Sequence, residues 1–206
     1  MDNVLLLDAA RLAHLVGLAM GLGLALCADA IALKSCFRPI TALDVRLLSM
    51  IHRVIMVALG VLWASGLMLL TFRTGWDLAA FTPKLVMKLC VVVLLTLNAI
   101  IIGIVAMPTY RANLDRLFGQ IEQPVRLWLS VIAGLSLSCW FSALALGVFS
   151  QLKPLPFDVL GALFLPVFLL GLLGAVTVGL SVGPFARATA WNALCRDRID
   201  AAATRA

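Results

Sequence analysis

Five stretches of this chain, at about residues 10–33, 47–71, 85–107, 126–149 and 157–183, are almost purely apolar. A helix rises ~1.5 Å per residue, so roughly 20 residues cross a hydrocarbon layer ~30 Å thick, and each stretch is long enough. In lipid the backbone must satisfy its own hydrogen bonds, which leaves helices or closed barrels. These runs are too long and too uniformly apolar for barrel strands. Composition agrees: 63% of the 206 residues are hydrophobic and 13% charged, with mean hydropathy +1.09. A soluble domain of this length could not cover that much apolar surface. The sequence predicts an all-α polytopic membrane bundle of five transmembrane helices over residues 1–184. An amphipathic cytoplasmic tail follows over 185–206, with Trp191 as a headgroup anchor.

The first run opens on Asp2, Asp8 and a single Arg11, which is not the cationic leader of a cleaved signal. Leu26, just before Cys27, is too bulky for lipoprotein processing. With the N-terminus outside, Lys34, Arg38, Arg46, Arg111, Arg116 and Arg126 face the cytoplasm together with Arg187, Arg196, Arg198 and Arg205. Only Arg11, Arg73, Lys84 and Lys153 then stay outside, so the bias predicts an N-out, C-in orientation. The formal charge of +6 is an orientation signal with some attraction for anionic lipid. Cations scattered along short loops do not make a nucleic-acid surface. The cysteines, Cys27, Cys36, Cys90, Cys139 and Cys195, form no C-x-x-C pair, so no disulfide framework is expected, and with no close His/Met or Cys cluster no metal site is expected either.

Prolines 39, 83, 108, 124, 154, 156 and 184 fall at or near expected helix ends, and Pro166 should kink the fifth helix. In the connection "PTYRANLDRLFGQIEQP", Tyr110, Leu114, Leu117, Phe118 and Ile121 share one helical face, which predicts a short helix lying in the interface. Phe72, Trp76 and Phe81 suit the opposite interface. Small residues recur at four-residue spacing: Ala13, Gly17, Gly21 and Ala25 in the first run, Gly134, Ser138 and Ser142 in the fourth, and Gly171, Ala175, Gly179 and Gly183 in the fifth. In lipid, close backbone approach along such stripes is what holds helices together.

Two ionisable residues sit within the first run. His14 and Asp29 lie within ~60° of each other around the helix but roughly 22 Å apart along it, so they belong to two layers. In the inner layer, His52 reaches a depth similar to Asp29, and Arg53 lies beside it, ~100° around. An Asp29–His52 or Asp29–Arg53 contact would relieve a lone carboxylate; alternatively Asp29, Lys34 and Arg53 extend to the headgroups. In the outer layer His14 meets Lys88, which can hold an anionic group. Asn98, midway down the third run, needs a hydrogen bond inside the bundle. The difference in depth, roughly 20 Å, argues against a haem clamped between His14 and His52.

The stretches "LAHLVGLAMGLG", "IHRVIMVALGVLWASG" and "PKLVMKLCVVVLLTLNAIIIG" resemble the small polytopic bacterial inner-membrane proteins grouped around the copper-resistance D and membrane-type protoporphyrinogen oxidase families. The resemblance covers about the first 108 residues and implies a bacterial inner membrane. Its oxidase branch implies haem b held by His14 and a tetrapyrrole-handling role for Lys88. The third run departs from that branch, with Asn98 and no histidine, and a fifth helix is added.

No phosphate loop, metalloprotease motif, nucleophile elbow or dinucleotide fingerprint is present in the sequence. The leading expectation is therefore a non-catalytic accessory or assembly subunit that docks other membrane subunits or a second copy of itself. A haem or tetrapyrrole-binding oxidoreductase using His14 and Lys88 is the alternative. A small transporter using Asp29, His52 and Pro166 is the third.

Overall fold

The computed structural model describes the backbone of residues 2–203 and the side chains of residues 4–184. Trp191, Cys195 and the side chains of the expected amphipathic tail lie outside the described residues. The helices are α1 (Asp2–Lys34), α2 (Ala42–Thr74), α3 (Pro83–Ile101), α4 (Met107–Ala112), α5 (Gln123–Val148) and α6 (Phe157–Ala203). A π turn, Ile102–Ala106, joins α3 to α4, and the described residues contain no strand. Five segments are long and apolar enough to cross a membrane: Val4–Lys34, Ala42–Thr74, Pro83–Ala112, Gln123–Val148 and Phe157–Pro184. The third is α3, the π turn and α4 together.

Local chemistry fixes the helix ends. Thr41 and Asp44 form a reciprocal cap at the start of α2, each side chain accepting from the other's backbone N–H at 3.1 and 3.0 Å. Lys34 donates to the same Asp44 at 2.8 Å and ties the end of α1 to the start of α2. Gly75 ends α2 with φ +57°, a conformation that side chains disfavour. Thr82 caps α3, with Pro83 just inside.

The bundle has a starting end, where α1 begins and the 75–82 and 149–156 connections lie, and a far end with the 35–41 and 113–122 connections. The interfacial helix expected from Pro108 to Pro124 is absent. Instead α4 carries the third span on to Ala112, and the chain then folds through a single 3-10 turn at Phe118–Gln120. The far-end connections pair through backbone bonds: Ile40 N to Arg116 O at 2.9 Å, Asp115 N to Ile40 O at 2.8 Å and Phe118 N to Ser35 O at 2.8 Å. Tyr110, Phe118 and Ile121 are buried there with Cys36 and Ile40, while Leu114 stays exposed. Their periodicity marks a protein contact, not a lipid one. Pro108 lies inside the third span, and Pro184, at the end of the fifth, lies inside the helix α6, which runs on past it. At Pro108 the widened turn just before it relieves the clash that proline makes with the preceding turn.

α1 packs along α2, α3 against α5, and α5 along α6. Gly17 faces α2, but Gly21 faces α5, where a Cβ would fall 2.0 Å from the ring of Trp140. On the α5–α6 seam a Cβ at Gly134 would lie 2.6 Å from Gly171 O, and one at Gly179 would lie 2.6 Å from Ser130 Oγ. Ala175 packs against Gly134 on the same seam. Arg126 closes the far end of that seam. It is 5% exposed and donates to the carbonyls of Gly179, Gly119 and Ile121 at 2.6, 3.1 and 2.8 Å. Gly183 leaves room for its guanidinium.

Candidate ligand chamber

In the far half of the bundle the helices part around a chamber of about 90 Å³. Its polar lining is Asp29 from α1, His52 from α2, Tyr110 from α4 and Ser136 from α5; Trp140 and Met107 add soft, polarisable surface. Alanines and branched aliphatic side chains complete the wall. The π turn makes room for the imidazole, since a Cβ at Gly103 would stand 3.0 Å from His52 Nε2. Widened turns of this kind recur where a helix serves a site. Behind the wall, Asn98 donates to Ile132 O at 3.1 Å, which supplies the bond its burial demands. Its Oδ1 has no partner among the described residues.

A second cavity of about 350 Å³ runs between α1, α5 and α6. It is an apolar groove, floored by Gly134, Gly171, Gly174 and Ala175, whose missing or short side chains leave the space. Leu33 and Leu170 on its lining are 52% and 71% exposed, so the groove opens on the outer surface of the bundle. Asp29, Tyr110 and Ala133 line both cavities. A half-buried carboxylate thus stands at the junction of an inner polar space and an outer apolar one.

Asp29 and His52 therefore share one chamber, as their depths suggested, yet neither makes a hydrogen bond or ion pair among the described residues. The ion pairs among those residues are Arg11–Asp8 at 2.9 Å and Lys34–Asp44 at 2.8 Å. Arg53 does not join the chamber: it is exposed, and its Nε donates to Ser49 O at 3.4 Å. Nor does Lys34 reach toward Asp29, because Asp44 holds it.

His14 and Lys88 lie toward the starting end and line neither cavity. His14 Nδ1 is 3.0 Å from Ser65 Oγ, and the Ser65 hydroxyl donates to Val61 O at 2.6 Å. With its own hydrogen on Val61 O, Ser65 is free to accept from Nδ1–H, and in that tautomer the ring keeps its lone pair on Nε2. Lys88 is half-buried and near enough to His14, Lys84 and Arg73 for their charges to interact. Lys84 donates to Phe149 O at 2.5 Å. No group of three or more His, Cys, Asp or Glu side chains among the described residues could hold a metal ion.

Sequence reasoning missed Tyr110, Ser136 and Trp140 as chamber residues, and Gly103 as the clearance for His52. The one available signal was Pro108, which follows an unbroken apolar run and calls for a local widening of the helix. Chemically, the chamber offers a carboxylate acceptor, an imidazole, a hydroxyl and aromatic faces, with an apolar slot leading to it. No protein-family model, curated protein or solved structure matches this chain, so the reading of its function stands on these two cavities.

Proposed function

We propose that this chain is a multi-pass protein of the bacterial inner membrane, N-out and C-in, that binds a small amphiphile drawn from the lipid. The polar head of that ligand occupies the chamber at Asp29 and His52, and its apolar body lies in the groove between α1, α5 and α6. One observation carries the reading: Asp29 borders both cavities and has no hydrogen-bond or ion-pair partner among the described residues. An ionisable group inside a membrane is costly, by about 2.5–3.5 kcal/mol on insertion scales, and such groups are kept where they serve a site. Binding of this kind suits an accessory subunit of a larger membrane complex. Translocation would require a path past Trp140, Leu59 and Leu95, which are 1%, 2% and 2% exposed and fill the core.

The test is to identify what co-purifies. Organic extracts of purified wild-type protein and of Ala133→Trp, which fills the junction of the two cavities, are compared by mass spectrometry. An amphiphile present in the first and depleted in the second supports the reading; identical extracts overturn it. Orientation is tested in a cysteine-free background. Lys153→Cys should react with an impermeant maleimide in intact cells, and Arg38→Cys only after lysis.

A second reading keeps the resemblance to the copper-resistance D and protoporphyrinogen oxidase group. His14 suits a haem ligand, because Ser65 orients Nδ1 and leaves the Nε2 lone pair for iron, with Lys88 nearby for an acidic edge. It ranks second because neither cavity reaches these residues. A Soret band in wild-type protein that is lost in His14→Ala would promote it.

A further inference from the structure

We propose that the ligand's head is a cation, a protonated or quaternary ammonium on an apolar body, bound by Asp29 within an aromatic enclosure. The inference rests on the chamber reading and adds the charge of the ligand to it. Asp29 is the one acidic residue lining either cavity, and no lysine or arginine lines them. Three cations near that end are engaged elsewhere: Lys34 by Asp44 at 2.8 Å, Arg126 by three backbone carbonyls, and Arg111 by Ser49 Oγ at 3.3 Å. The fold thus leaves Asp29 without a lysine or arginine beside it, and His52, which shares the chamber, makes no ion pair with it.

The remaining surface favours a cation by a second route. Trp140 and Tyr110 line the chamber and Phe118 lines the groove, and all three are buried, at 1%, 7% and 6% exposure. Their rings are held in place before any ligand arrives, and a desolvated ammonium is attracted to an aromatic face. An anionic head would meet Asp29 with no lysine or arginine on the lining to offset the repulsion, and with His52 as the one basic side chain there. A neutral head would forgo the ion pair that an ionised Asp29 offers. The groove's volume of about 350 Å³ accommodates an apolar body of modest size.

Octyltrimethylammonium is the probe, and its neutral isostere with carbon in place of nitrogen is the control. Binding is measured by native mass spectrometry on the full chain as wild type, Asp29→Asn, Asp29→Glu and Ala133→Trp. The expected result is that the ammonium binds wild type, weakens by about ten-fold or more in Asp29→Asn and Ala133→Trp, and recovers substantially in Asp29→Glu. The neutral isostere should bind wild type far less. Equal binding of both probes, unaffected by Asp29→Asn but abolished by Ala133→Trp, overturns the cationic head and leaves the chamber standing. If Ala133→Trp changes neither probe's binding, or if neither probe binds wild type, the cation inference falls; in the first case the chamber falls with it. Should Asp29→Asn fail to fold, the contrast between ammonium and isostere on wild type decides the matter alone.

Discussion

Arg126 and Asp29 are both ionisable side chains drawn back from solvent in the far half of one bundle, and they are treated in opposite ways. The guanidinium has carbonyl acceptors from one connection and a neighbouring helix, at 2.6–3.1 Å, and a glycine cut away to fit it. The carboxylate has none among the described residues and faces open space on two sides. A charge whose bonds are all internal is part of the frame. One whose bonds are left unmade is available to something else. The contrast separates structural from functional polarity better than burial or charge does.

The largest test of this contrast is Arg126→Met. It strands carbonyls at the α5–α6 seam and should cost about 3 kcal/mol, at roughly 1 kcal/mol per lost bond. Asp29→Asn should cost little or nothing. Unfolding in mixed micelles measures both, and equal losses would erase the distinction. Next in size are Gly21→Leu and Gly134→Leu, expected to cost about 1–3 kcal/mol through overpacking. Gly21→Leu displaces Trp140 and should also weaken ligand binding, whereas Gly23→Leu meets nothing within 4 Å and should be silent. Asp44→Asn loses half of a capping box and a pair with a 45% exposed lysine, so about 1 kcal/mol is expected from a thermal melt. The smallest effect belongs to Asn98→Leu. It removes one bond to Ile132 O together with an unpaired Oδ1, and its stability should stay within about 0.5 kcal/mol of wild type.

The five spans were legible because length and hydropathy are one-dimensional properties. The common depth of Asp29 and His52 was legible too, since counting residues along antiparallel helices fixes height. What was not legible depends on neighbours. The face formed by Tyr110, Phe118 and Ile121 has the same period whether it meets lipid or the 35–41 connection, so periodicity alone pointed to the wrong medium. Arg126 read as a loop cation marking orientation, because sequence does not reveal which cations fold back under a glycine. Gly17 and Gly21 read as one stripe, yet a four-residue step overshoots a turn by ~40°, enough to aim them at different helices. The chamber's aromatic lining was hidden for the same reason: Trp140 lies more than a hundred residues from Asp29 along the chain.

The π turn at Ile102–Ala106 has a further consequence, for insertions and deletions. A turn of this kind is what an α-helix becomes when one residue more than a turn needs is fitted into it. Losing a residue there would let the turn close to ordinary α geometry while α3 and α4 kept their places, where the same loss elsewhere in the bundle would rotate half a span. Ile104, 68% exposed, could leave without opening a hole in the core. What would change is the clearance at Gly103, and with it the seat of His52. The third span carries a spare residue whose place in the chain coincides with the chamber.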